Sequence, residues 1–190
     1  MAVVRDPESK KRSLLDAALV EFAAKGIVST RTEDIAARAG CSTGLVYTYF
    51  GSKEGLFDAV LDDIAERTAE SMPITPEDLP GYAVRLYDLG IASPEIDRFI
   101  AWHQLRDGGG ANLRESFERA SREKVELVAA ALDAGTISSR LGAGELVLAV
   151  QTIARMWATQ PREITKAIGG DERSRREAVR TAVEALLGSA

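Results

Sequence analysis

The sequence predicts an all-α protein, with a group of short helices at the N-terminus and a longer all-helical body behind it, about nine helices in all. Three observations carry this. Apolar residues recur at spacings of three and four along nearly every segment, as in Leu15, Ala18, Leu19 and Phe22. Gly, Ser-Lys and Ser/Thr-Pro steps punctuate the chain where helices must stop and start, at Gly26, Gly40, Ser52-Lys53, Thr75-Pro76 and Ser93-Pro94. No run alternates with period two, and the β-branched residues are scattered, so no strand is expected.

Taken in order, residues 7–25 form the first helix and Gly26 stops it, because glycine accepts a left-handed cap. Thr30 with Glu33 reads as a capping box for a second helix over 32–39, with Ile35, Ala36 and Ala39 inward and Gly40 at its end. Ser42 caps a third helix over 43–49. Its Val46 points inward with Phe50, while Thr43, Gly44, Tyr47 and Thr48 point out. Ser52 caps a fourth helix carrying the stripe Phe57, Val60, Leu61 and Ile64, which ends near Ser71.

In the body, Thr75-Pro76 and Ser93-Pro94 open helices over 76–90 and 94–106. Residues 107–110 form a Gly-rich loop, and Asn112 with Glu115 caps a helix that runs to Asp133 before Ala134-Gly135. Two more helices follow over 143–160 and 171–188. The expected division is 1–52, a head; 53–72, a connecting helix; and 73–190, a body.

Of 190 residues, 45% are apolar, enough for a packed core, and the net charge is −5. Residues 1–53 hold eight Lys/Arg against six Asp/Glu, and residues 54–190 hold sixteen against twenty-three, so the head is mildly basic and the body acidic. A single cysteine, Cys41, allows no intramolecular disulfide and fits a reducing cytoplasm. One Cys and one His supply no metal site of the usual Cys/His kinds, and no cofactor motif is present. No signal peptide or membrane span is expected.

Residues 32–50 therefore make a short helix, a glycine turn and a second short helix whose outer face is small and hydroxyl-bearing. A helix that enters the major groove needs such a face, pinned from behind. Thr43 and Thr48 offer hydroxyls to base edges, Gly44 permits close approach, and Leu45 meets a thymine methyl. Tyr47 and Tyr49 reach phosphates, Lys53 adds a cation at a helix start whose N-terminus supports phosphate binding, and Thr32, at the start of the second helix, meets phosphate across the groove, with Ser42 completing the expected DNA-facing set. Arg5, Lys10, Lys11 and Arg12 are either an arm on the DNA or an ordinary solvated end.

The run from Asp34 to Phe57 resembles the signature of TetR-family transcriptional regulators. Ile35-Ala36, Gly40, the cluster Tyr47-Thr48-Tyr49-Phe50 and Ser52-Lys53-Glu54-Gly55-Leu56 match it, as do Ala17-Ala18, Phe22 and Gly26 in the preceding helix. The resemblance implies a homodimer that binds a palindromic operator and lets go when a small molecule binds the body. It implies DNA contact at Thr32, Thr43, Gly44, Leu45, Tyr47, Thr48, Tyr49 and Lys53. Thr43 stands where many members have Lys, Arg or Gln, and Leu45 where many have Thr or Ser, so the target sequence stays open.

Leu146, Val150, Ile153 and Trp157, and likewise Val179, Val183 and Leu186, repeat at helix-packing spacings. Packing within one chain is one reading; a four-helix dimer interface through Leu146, Val150, Ile153, Val179, Val183 and Leu186 is the one expected here. For a small-molecule pocket the candidates are Phe99, Trp102, His103 and Arg106 on one helix face, with Tyr82, Arg85 and Tyr87 before them and Met156, Trp157 and Gln160 closing the far side. An all-helical enzyme using His103 lacks a second His or a nucleophile–base pair, and the expectation is no enzyme. A helical partner-binding protein and a transcriptional activator compete with the repressor on sequence grounds. In the expected mechanism, effector binding moves the fourth helix and spoils the ~34–36 Å spacing of the two recognition helices.

Overall fold

The structure is a computed structural model that describes residues 7–106 and 115–188. Among these residues it contains eleven α-helices, one 3-10 turn and no strand. The chain divides into two compact units, Met1–Arg67 with Glu95–Arg114, and Thr68–Pro94 with Glu115–Ala190.

The first unit holds α1 (Pro7–Ser29), α2 (Thr32–Ala39), α3 (Thr43–Phe50), most of α4 (Lys53–Ser71) and α6 (Pro94–Arg106). α1 breaks where expected: Gly26 adopts φ 70°, ψ 169°, and a last turn continues beyond it to Ser29. The hydroxyl of Thr30 donates to Gly26 O at 2.7 Å. It therefore does not cap α2, whose N-cap is Arg31 with no side-chain cap bond. Gly40 closes α2 in the left-handed region, as its position predicts. α1 packs on α2 and α2 on α3. Leu14, Phe22, Ile35, Val46, Leu56 and Phe57 are fully buried. Phe99 brings α6 onto this core, its ring 4.4 Å from Phe57 and 6.3 Å from Phe22 by centroids.

The second unit holds the 3-10 turn Pro76–Asp78, α5 (Leu79–Ala92), α7 (Glu115–Asp133), α8 (Ala143–Ala154), α9 (Met156–Thr159), α10 (Arg162–Ile168) and α11 (Glu172–Glu184). α5 packs against α8 and α11, and α7 against α8, around Leu79, Tyr82, Val128, Leu146, Val150, Val179 and Val183. Gly188 N donates to Ser138 O at 2.7 Å, which ties the end of the chain to the α7–α8 turn.

Three expectations are corrected here. Asp78 caps α5, accepting from Gly81 N at 2.9 Å, while Thr75 precedes only the 3-10 turn. The expected helix over 143–160 is two helices, interrupted at Arg155 (φ −100°, ψ 2°), and α10 is additional. These account for eleven helices in place of about nine. The Gly-rich segment at 107–110 and the Asn112 cap lie outside the described residues.

Candidate nucleic-acid interface

α3 is eight residues long and buries Val46 completely. Because side chains three and four apart share a face, burying Val46 turns Gly44, Tyr47 and Thr48 to solvent, and all three are exposed. Thr43, Leu45 and Tyr49 are half-buried flanks, and Ser42 is exposed at the start. Among the described residues nothing crowds Gly44: an added Cβ would meet only Ser42 Oγ, at 3.9 Å. Thr48 Oγ1 donates back to Gly44 O at 2.9 Å, which leaves its oxygen free to accept on the outer face.

Behind this face the fixings are specific. The Tyr47 hydroxyl lies 3.3 Å from Thr32 Oγ1 and ties α3 to the start of α2. Thr32 is only 6% exposed, so it fixes Tyr47 and offers little side-chain surface of its own. Lys53 Nζ donates to Thr30 O at 3.1 Å, which anchors the start of α4 to the α1–α2 link. Ser52 caps α4 as expected, accepting from Gly55 N at 2.9 Å. A Cβ on Gly55 would stand 2.2 Å from Phe50 O, so only glycine lets the first turn of α4 approach the end of α3 this closely. The N-caps of α2 and α3, Arg31 and Ser42, make no side-chain cap bond, and both helices keep N-terminal N–H groups available to an anion.

Buried charge inside the unit is held in pairs. Glu21 takes Lys25 at 2.8 Å and Arg38 at 2.8 Å, and those hydrogen bonds, Lys25 first, hold its carboxyl below the usual carboxylate range against the opposing effect of burial. Lys25 also reaches Asp34 at 3.2 Å. Asp63 on α4 is gripped by Arg12 from α1 and by Arg67. Arg12 therefore belongs to this clamp instead of a free arm. Lys11 is exposed, Lys10 half-buried, and Arg5 lies outside the described residues. Sequence reasoning missed two residues here: Gly55, and Arg31, an exposed cation at the α2 N-cap.

The other expected sites are placed differently. Phe99 is fully buried between Phe22 and Phe57 and is core, not pocket wall. Trp102 lies over Gly26, where an added Cβ would be 3.0 Å from its ring. The His103 ring stands 6.4 Å from that of Phe57. Arg106 stacks 4.8 Å over Phe57 and pairs with Asp58 at 3.2 Å. The predicted face of α6 thus exists, and it packs on α1 and α4. Tyr82 and Trp157 belong to the core of the second unit. Leu146, Val150, Val179 and Val183 are 0% exposed in the single chain, so they have no surface to offer a partner subunit. Their spacing served the packing of α8 and α11 on α5. Ile153 and Leu186 are half-buried against the same core. Among the described residues no group of His, Cys, Asp and Glu could hold a metal ion, and no helix is long and apolar enough to cross a membrane.

Two short helices joined by a glycine turn, the second pinned from behind and presenting small and hydroxyl side chains, define a helix-turn-helix DNA-binding regulator. The model for bacterial regulatory proteins of the tetR family matches residues 14–60, and that for the tetracyclin repressor-like C-terminal domain matches residues 78–185. The HTH-type transcriptional repressor SCO4008 of Streptomyces coelicolor is 33% identical over 88% of this chain and 88% of its own length. The crystal structure of SCO4942, also from Streptomyces coelicolor, superposes with a TM-score of 0.81 at 30% identity, covering 94% of this chain and 98% of that one. A TetR family regulator from Marinobacter aquaeolei gives 0.74 at 19% identity, over 96% of this chain and 97% of its own, a likeness of fold. The chain belongs to the TetR family of transcriptional regulators.

Proposed function

We propose that this regulator is a cytoplasmic repressor that binds a palindromic operator as a homodimer and is released by a small-molecule effector. The observation that carries the DNA-reading part is the α3 face: Gly44, Tyr47 and Thr48 exposed together, with Tyr47 fixed on Thr32. On this reading Ser42, Thr43, Leu45, Tyr49 and Lys53 flank the contact. Arg31 and the uncapped starts of α2 and α3 receive phosphates. Residues 1–52 read DNA, 53–72 connect, and 73–190 take effector and partner.

The dimer is assigned to the outward faces of α8 and α11. On α8, Gly144, Leu148 and Thr152 form one exposed stripe, and Leu148 is 66% exposed. Small residues beside an exposed leucine suit the close approach of a second helix. Effector binding in the second unit then biases α4 toward a spacing that the operator rejects, which requires the effector to prefer the DNA-free state.

The test is selection of genomic fragments by the purified protein at a stated salt concentration. Recovery of a palindrome whose half-site centres lie one helical turn apart, or a multiple of one, is the expected result. Failure to enrich any sequence over bulk DNA contradicts the reading.

A further inference from the structure

The outer face of α3 lacks the side chains that read bases through paired hydrogen bonds. Arg or Lys takes guanine in that way, and Asn or Gln takes adenine. Residues 40–50, the turn and the whole of α3, contain none of the four. Ser42 and Thr43 carry hydroxyls, which donate or accept and so separate one base from another only weakly. The Thr48 hydroxyl gives its proton to Gly44 O at 2.9 Å, and toward the groove it can only accept. Guanine offers N7 and O6 there, both acceptors, so Thr48 has nothing to receive from it. The Tyr47 hydroxyl is held by Thr32 Oγ1 at 3.3 Å.

What the face offers instead is an apolar contact at close range. With Val46 buried, Gly44 and Thr48 stand at the centre of the outer face. Leu45 and Tyr47 flank them on opposite sides, each about 100° round the helix from Val46. Gly44 is open, since an added Cβ would meet only Ser42 Oγ at 3.9 Å, and the backbone can come near the base edges there. Leu45, next to it and half-buried, is the aliphatic side chain of that face. Thymine alone among the four bases carries a methyl group into the major groove.

We propose that Leu45 is the residue that specifies the operator sequence, by covering the 5-methyl group of thymine, so that α3 reads A·T pairs through an apolar contact. This rests on the reading of the α3 face as the DNA-reading face. The Thr48 oxygen suits the same pairs, because it can accept from the amino group of adenine. Taking one methyl from water is worth about fourfold in affinity, so one in each half-site of a two-fold operator is worth about fifteenfold.

The test uses the full chain and the operator recovered by genomic selection, synthesised once with thymine and once with uracil throughout. Uracil deletes the methyl groups and keeps the base pairing. Affinity is read by fluorescence anisotropy at one salt concentration for wild type, Leu45→Ser and Leu45→Met, with Tm measured alongside. The expected result is that wild type binds the uracil duplex about fifteenfold more weakly. Leu45→Met, apolar and of similar volume, keeps that preference. Leu45→Ser binds the two duplexes within about twofold of each other. Equal binding of both duplexes by wild type overturns the proposal, whether or not Leu45→Ser folds. A preference kept in full by Leu45→Ser means that the methyl acts through another side chain or through the shape of the duplex, and overturns the assignment to Leu45. Specific binding of the thymine operator without preference over uracil leaves the DNA reader standing. Failure of the selection to recover any sequence brings down both.

Discussion

The two units differ in how much of their buried polarity is paired. In the first, Glu21 and Asp63 are each held by two cations, Thr30 is satisfied by a backbone carbonyl, and Thr32 meets Tyr47. In the second, Tyr82, Tyr87, Trp157 and Arg175 keep buried donors unpaired among the described residues. A DNA reader must present one fixed face, and satisfied internal polarity specifies one arrangement.

The largest effect expected from breaking this contrast is on the first unit's aromatic core. Phe99→Ala removes the ring between Phe22 and Phe57 and costs about 3–5 kcal/mol, read as a drop in the denaturation midpoint. Gly55→Ala forces a Cβ toward Phe50 O and costs on the order of 1–3 kcal/mol, with DNA affinity falling as α3 shifts against α4.

Glu21→Gln comes next, with a loss of about 1 kcal/mol, because Arg38 and Lys25 lose their ion pair with it and Lys25 keeps Asp34. The pH dependence follows from the lowered carboxyl. The stabilisation from Glu21 is present above the usual carboxylate range and lost as pH falls through its lower folded value, so acid unfolding of wild type should be steeper than that of Glu21→Gln. The smallest change in stability belongs to Tyr47→Phe, which removes one partly exposed hydroxyl bond worth about 1 kcal/mol. Its effect on DNA affinity should exceed its effect on Tm, and equal effects would mark Tyr47 as packing alone.

Much of this was legible in the sequence. The all-α class, the break at Gly26, the left-handed end at Gly40 and the outward face of α3 follow from glycine chemistry and helical period alone. Periodicity states which face is buried but not what buries it. Leu146, Val150, Val179 and Val183 repeat as a dimer seam would, yet they pack on α5 of the same chain. Phe99 and its neighbours line one face of α6, as a pocket wall would, and that face packs on α1 and α4. The break at Arg155 involves no Gly or Pro, so no local signal marks it. Arg31 and Gly55 escaped because their roles depend on where α2 begins and on how close α4 comes to α3.

The most direct test of the central claim is the DNA affinity of Gly44→Glu, by fluorescence anisotropy on the selected sequence at fixed salt. The position is exposed and open, and glutamate is a better helix former than glycine, so the fold and Tm are kept. A charge and bulk set on the outer face of α3 should abolish specific binding. Binding within about twofold of wild type, less than half a kcal/mol, by a variant with unchanged Tm would contradict the assignment of that face to DNA.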